Sequence, residues 1–275
     1  MKCPTANLTS KLIQFLGSSH DRRPYSLIIG VHMTFKTPLD VRLACRRNEL
    51  EGFASKALPG YLCVNVAFLD VDYADDFEAF CRANPKPCPL IARMAPGQTD
   101  CPEFASELDI RTDLGSYDIV RNGEVTELRK DIVDLFDDRT VTFLIGSSVS
   151  FDGLLAEKGY PAAFGPTIQL TALPCTPVGP FAGNMAVTIR SFAPDLVDDV
   201  WAFTSHFPTC HGAPIGKNNA AELGIEDLNV NMNGQQFAVP DGTDRLYCVI
   251  RDKIALIAIL VYLFLAGHIL LPRLR

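Results

Sequence analysis

Three serines directly follow an apolar run in the middle of the chain, and they are the first residues whose types and spacing could do chemistry. The run ends at Gly146, then come Ser147, Ser148 and Ser150, and a helical pattern begins at Ser150. A serine hydroxyl can accept from the N–H groups of a first helical turn, and the positive end of a helix attracts anions. The spacing therefore predicts a helix entrance that could bind a carboxylate or phosphate, or serines that act only as caps.

Arg190 and His211 are the strongest candidates among the charged and titratable side chains. Arg190 ends an alternating strand pattern at residues 186–190, beside a loop rich in Gly and Pro. The planar guanidinium suits bidentate binding of a carboxylate at such a position. His211 lies in a second Gly/Pro loop rather than on an apolar face. It is therefore a candidate general acid or base, with a structural loop histidine as the alternative.

A stiff loop over residues 84–89 presents a charge and a thiol. Its three prolines fix φ and remove backbone donors. The loop could hold Lys86 and Cys88 in a cleft, or it could be a rigid connector. Cys88 with His211 and Asp113 would supply the parts of a thiol enzyme, although their order and spacing match no thiol-enzyme motif.

Three further polar residues complete the set of candidates. Arg111 and Asp113 lie two positions apart and could pair with each other, or they could offer a carboxylate clamp and an acid/base group. Asn65 interrupts an apolar strand pattern at residues 61–68. Because a buried amide needs partners, Asn65 either fixes a loop or contacts a ligand.

The elements that must position these residues include both helices and strands. An amphipathic helix is predicted over residues 72–83, directly before the proline loop. The Asn-Gly pair at residues 122–123 predicts a hairpin over residues 120–128. A helix with an apolar face is predicted over residues 194–207, between Arg190 and His211.

The composition narrows the possible classes of protein. The chain has 275 residues, 48% of them hydrophobic, and a net charge of −7 without a basic cluster. A sizeable core can form, and a nucleic-acid-binding surface is not expected. The nine cysteines include no CxxC pair and no zinc-finger spacing. We therefore expect reduced thiols in an intracellular compartment and no metal site.

Several stretches, in order along the chain, resemble the D-glutamate cyclase family, also called the hydro-lyase family. They include residues 146–151, 174–181, 84–89 and 109–114. The resemblance covers roughly residues 39–248. Two positions depart from the family pattern, because Cys63 stands where Gln is usual and His206 where Arg is more frequent.

The resemblance implies an α/β fold with mixed sheets, in a layered body of two coupled parts. It also implies an enzyme that removes water from a small amino or hydroxy carboxylic acid, as when D-glutamate closes to 5-oxo-proline, without a metal or organic cofactor. A non-catalytic, membrane-tethered carboxylate-binding protein and a Cys-dependent hydrolase are the alternatives. The candidate site comprises the catalytic candidates His211, Asp113 and Cys88 and the substrate-binding candidates Arg190, Ser147, Ser148, Ser150, Arg111, Lys86 and Asn65.

The two ends of the chain lie outside the predicted hydro-lyase-like domain of residues 39–250. Residues 1–38 have a basic excess with Ser and Thr, typical of a mitochondrial leader and also of a frayed terminus. Residues 254–271 are apolar and carry no formal charge. As a helix this stretch would rise about 27 Å, close to the roughly 30 Å of a membrane core. We therefore predict a transmembrane helix within residues 251–275, with a terminal helix replacing the family's last strand as the alternative.

Overall fold

The computed structural model describes residues 35–50, 58, 60–121, 124–230, 236, 240–250 and 262–271. Most of the predicted leader, residues 1–34, lies outside the described residues, as do residues 251–261 and 272–275 at the C-terminal end.

Four α-helices and ten strands form within the described ranges. The helices are α1 (Pro38–Arg46), α2 (Val71–Ala83), α3 (Ser150–Glu157) and α4 (Val197–Ser205). The strands are β1 (Leu62–Asp70), β2 (Leu90–Arg93), β3 (Tyr117–Arg121), β4 (Glu124–Arg129), β5 (Thr140–Gly146), β6 (Phe164–Pro174), β7 (Asn184–Phe192), β8 (Gly216–Lys217), β9 (Asp244–Ile250) and β10 (Tyr262–Leu271). The predicted helix over residues 72–83 and the predicted hairpin are confirmed as α2 and as the β3–β4 pair. The helix predicted from residue 194 begins with a 3-10 turn and becomes α4 at Val197.

The strands form two sheets, one of six strands in the order β2-β5-β1-β10-β3-β4 and one of four strands in the order β6-β7-β9-β8. Every pairing between these strands is antiparallel. The combination of helices with sheets is confirmed, whereas the expected mixed sheets are wrong for the described strands. Antiparallel neighbours need no helical crossover, which fits a chain with more strands than helices.

α1 begins with a reciprocal cap formed by Thr37 and Asp40. Thr37 Oγ1 accepts from the Asp40 N–H at 3.2 Å, and the Asp40 carboxylate accepts from the Thr37 N–H at 2.9 Å. Pro38 fits the first turn because its missing N–H would have no partner there. The helix therefore begins at Pro38, with its cap at Thr37.

β1 is buried on both faces, which makes the six-stranded sheet the middle layer. Val64, Val66 and Phe68 pack in one apolar cluster with residues of α3, α4 and β9. Ala67 and Leu69 pack in a second cluster with the aromatic residues of α2. The period-2 alternation of a strand sends neighbouring side chains to opposite faces, so β1 contributes to both clusters.

β10 lies in the middle of the six-stranded sheet, where the sequence predicted a membrane helix. Its backbone pairs with β1 on one side and β3 on the other, so that Leu265 lies opposite both Ala67 and Asp118. The transmembrane helix predicted for residues 254–271 is therefore wrong for residues 262–271. Within the described ranges, no helix combines the length and apolar character needed to cross a bilayer.

Replacing Leu265 with proline tests this strand. We expect the free energy of unfolding to fall by roughly 2–4 kcal/mol, because proline removes a ladder hydrogen bond from a central strand. Leu265→Ile keeps the backbone donor and should cost less than about 1.5 kcal/mol. Urea unfolding followed by circular dichroism measures both variants. Equal stability of the two variants would show that β10 is not a central strand.

Candidate active site

The serine turn lies where the two sheets meet. β5 of the six-stranded sheet ends at Gly146, and the chain continues through Ser147 and Ser148 into α3. β7 of the four-stranded sheet carries Arg190, which contacts this turn. Leu144, Phe151 and Phe192 belong to one apolar cluster beside the turn. The site is therefore built on packed elements from both sheets.

Gly146 allows the chain before His211 to approach β5 closely. A Cβ atom at Gly146 would lie 1.6 Å from the backbone oxygen of Thr209, and backbone cannot move aside as a flexible side chain can. The Gly146 N–H also donates to the carbonyl of Pro89 at 3.0 Å. The absence of a side chain at residue 146 thus brings three segments together: the serine turn, the proline loop and the loop of His211.

The serines make hydrogen bonds other than the predicted helix caps. Val149 stands at the N-cap position with helical dihedral angles, and no side chain caps α3. Ser150 Oγ instead accepts from the Cys63 N–H at 2.9 Å and donates to the Cys63 carbonyl at 3.2 Å. The Ser147 N–H donates to the same carbonyl at 3.1 Å. The predicted capping by serine is therefore wrong, because Ser147 and Ser150 fasten the turn to β1.

Arg190 is the most deeply buried charge of this region, with 2% of its side chain exposed. Its Nε donates to Asp152 Oδ1 at 3.1 Å, and its other nitrogens donate to Thr188 Oγ1 and, at 3.5 Å, to the Ser148 carbonyl. Burial is the largest single effect and lowers the pKa of Arg190, but the interactions with Asp152 and Cys248 together raise the pKa above its usual value. The strand continues to Phe192, so Arg190 lies inside β7 and not at its end.

The thiol of Cys248 in β9 responds to the charges of both Arg190 and Lys86. Burial raises the pKa of the Cys248 thiol, while the positive charges of Arg190 and Lys86 and a hydrogen bond with Arg190 oppose this rise. Neither Cys248 nor Asp152 was selected from the sequence as a site residue. Asp152 was detectable in principle, because it follows the third serine by two residues in the first turn of a helix.

Lys86 and His211 hold each other through backbone oxygens. Lys86 Nζ donates to the carbonyl of His211 at 3.1 Å and to that of Ala213 at 2.5 Å. His211 Nδ1 lies 2.8 Å from the Lys86 carbonyl, which can only accept, so Nδ1 carries a proton. In the neutral ring Nε2 is then the basic nitrogen. Burial lowers the pKa of Lys86, as expected for an ammonium group removed from water.

The backbone of His211 is in a rare conformation, with a φ of 73°. Left-handed conformations of residues other than glycine cost about 1–3 kcal/mol and concentrate at functional sites. Here the His211 N–H donates to Pro208 at 3.2 Å, and the Gly212 N–H donates to Phe207 at 3.0 Å. Together with Lys86, these bonds fix the orientation of the imidazole.

Asp113 and Arg111 belong to a different polar cluster. The buried Asp113 carboxylate pairs with Arg42 at 3.2 Å and with Arg46, and it accepts from the Asp109 N–H at 3.1 Å. Arg111 pairs with Asp109 at 2.9 Å. The pairing of Arg111 with Asp113 considered from the sequence is therefore replaced by these contacts. They attach α1 to the segment before β3, which is a structural arrangement.

Cys88 and Asn65 are also held by structural surroundings. Cys88 is 4% exposed and lies in an apolar cluster with Phe77, Phe80 and other aromatic residues. Cysteines buried among apolar residues are usually structural, so the Cys-dependent hydrolase is not supported. Asn65 is half-buried in β1, opposite Ile145 and His268. Among the described residues, no three His, Cys, Asp or Glu side chains form a group that could hold a metal ion.

The comparisons with known proteins agree on one family. A family model described as D-glutamate cyclase matches residues 141–249, which contain the serine turn, Arg190, His211 and Cys248. A protein of a Methylobacterium species, named "Putative hydro-lyase", is 42% identical over 194 residues, which are 69% of this chain and 72% of that protein. Relatives of the same name from Staphylococcus carnosus and a Jannaschia species are 35% and 36% identical, covering 74% and 78% of this chain and 80% and 82% of theirs.

These matches define a family of proteins that carry the hydro-lyase name and share the segment in which the candidate site lies. The chain belongs to this D-glutamate cyclase family.

The structural role of Asp113 predicts a large effect on stability. In Asp113→Ala the buried guanidinium of Arg42 loses its partner, so we expect the free energy of unfolding to fall by about 3–5 kcal/mol. Glu49→Ala, which breaks the exposed pair with Arg47, is the control and should cost less than about 1 kcal/mol. Urea unfolding measures both. An Asp113→Ala protein that is as stable as the wild type but inactive would instead favour a catalytic role for Asp113.

Proposed function

We propose that this protein is a hydro-lyase that removes water from a small carboxylic acid, with the closure of D-glutamate to 5-oxo-D-proline as the leading reaction. The observation that carries the proposal is the fully buried guanidinium of Arg190 at the junction of the two sheets, with the accessible carboxylate of Asp152 beside it. A buried guanidinium is well suited to bind a carboxylate through charge-assisted hydrogen bonds. Membership of the family supports the loss of water as the reaction.

Ring closure of glutamate forms one bond and breaks another. The amine nitrogen attacks the carbon of the side-chain carboxyl group, the C–N bond forms, and one C–O bond of that group breaks. The ammonium nitrogen loses two protons, and both leave with the departing oxygen as water. The reaction is therefore balanced without an oxidant or reductant. The protein must hold the substrate in a ring-forming pose and help protons to move from nitrogen to oxygen.

Arg190 and His211 are the residues that meet these two demands. Arg190 holds a carboxylate of the substrate and orients it against the serine turn. His211 takes the two protons of the ammonium group one after the other at Nε2 and gives each to the departing oxygen. The charges of Arg190 and of Lys86, the residue that positions His211, both act on the thiol of Cys248. Ser150 also hydrogen-bonds to Cys210, next to His211.

The carboxylate-binding role of Arg190 is tested with Arg190→Lys. Lysine keeps the positive charge but lacks the planar pair of donors, so kcat/KM for D-glutamate should fall about ten- to a hundred-fold. Arg82→Lys is a matched control, because Arg82 is exposed on α2 and pairs with Glu78. Formation of 5-oxoproline is measured by chromatography, and circular dichroism checks the fold. Unchanged kinetics in a folded Arg190→Lys protein would remove Arg190 from the site.

The acid/base role of His211 is tested with His211→Asn. Asparagine tolerates positive φ, and its amide can replace Nδ1 as the donor to the Lys86 carbonyl, but it offers no basic nitrogen. We expect kcat to fall by about 10²–10⁴ with little change in KM. His206→Asn is the control, because Nδ1 of that exposed histidine also contacts a carbonyl, that of Ala202. A His211→Asn protein with normal kcat would assign His211 a structural role only.

A further inference from the structure

Arg190 and Asp152 form an ion pair whose two members differ sharply in accessibility. The side chain of Arg190 is 2% exposed and that of Asp152 is 46% exposed. Nε and Nη2 of Arg190 both lie 3.1 Å from the same oxygen, Oδ1 of Asp152. Oδ2 of Asp152 accepts from none of the described residues. The pair therefore holds its positive charge inside the protein and its negative charge towards solvent. Oδ2 of Asp152 can still accept a hydrogen bond.

The remaining contacts of Arg190 hold its guanidinium in place inside the protein. Thr188 and the Ser148 carbonyl accept from the guanidinium, and the Cys248 thiol interacts electrostatically with it. These partners come from β7, β9 and the serine turn, which are packed against each other, so the guanidinium is held in one orientation. Asp152 lies in the first turn of α3 and reaches the guanidinium from a different direction.

An α-amino acid carries the complementary arrangement of charges. Its carboxylate and its ammonium group are attached to one carbon, so they can contact Arg190 and Asp152 together. A dicarboxylic acid without an ammonium group would place its carboxylate beside that of Asp152, and no ammonium group would offset the repulsion. Repulsion between two neighbouring carboxylates weakens binding. The ion pair thus both favours zwitterions and disfavours simple anions.

We propose that Asp152 is the ammonium-binding and specificity-determining residue of this site, and that the Arg190–Asp152 pair selects α-amino acids over dicarboxylic acids of the same length. This inference rests on the proposed function, which supplies the ligand class, a small carboxylic acid. It assigns a substrate contact to Asp152, and it is tested by binding, independently of turnover.

The test compares D-glutamate with glutarate, which has the same carbon chain and no amine. Isothermal titration calorimetry gives the Kd of each ligand for the wild type, for Asp152→Asn and for Asp199→Asn, an exposed acid in the first turn of α4. Asparagine at residue 152 can still accept from Arg190 but carries no charge. We expect the wild type to bind D-glutamate at least about ten-fold more tightly than glutarate. Asp152→Asn should lose this preference through weaker glutamate and tighter glutarate binding, and Asp199→Asn should retain it.

The outcomes separate this inference from the proposed function. An Asp152→Asn protein that weakens both ligands equally, or keeps the wild-type preference, shows that Asp152 is only the counterion of Arg190. If Asp152→Asn does not fold, the wild-type comparison decides, because equal affinity for glutamate and glutarate overturns the inference. Selective glutamate binding without formation of 5-oxoproline contradicts the proposed cyclisation and supports the role of Asp152. A folded wild type that binds neither ligand overturns both.

Discussion

A guanidinium removed from water must be neutralised and hydrogen-bonded, and Arg190 imposes this requirement on the junction of the two sheets. The partners come from β7, β9, the serine turn and α3, so these elements must approach one another for the charge to be buried at all. The same contacts that satisfy the charge also fix its orientation. A group held in one orientation binds a carboxylate with less loss of entropy than a mobile one would.

Two backbone features allow this approach. Gly146 has no side chain, and the chain at Thr209 therefore packs directly against the end of β5. β10 inserts between β1 and β3 and completes the sheet behind the site. β1 in turn binds the serine turn through the backbone of Cys63. The strand β10 and the glycine at residue 146 thus support the same site from two distant parts of the sequence.

Local sequence patterns determined much of what the structure contains. The amphipathic period of α2 and the Asn-Gly signal of the β3–β4 hairpin are properties of short segments, and both elements formed as expected. Family membership was also readable, because its matching stretches are short and contiguous. Lys86 stands in a loop stiffened by prolines and His211 in a Gly/Pro loop, and the structure joins these two residues by two hydrogen bonds.

Contacts between distant segments were decided only by the tertiary structure. Asp113 pairs with Arg46 across 67 residues, and no local pattern predicts which of several arginines will reach a buried carboxylate. The apolar run at residues 262–271 suited a helix and a strand equally, and only the vacant place between β1 and β3 made it a strand. Asp152 acquired its importance in the same way, because a partly exposed acid becomes part of a site only when a buried cation lies beside it.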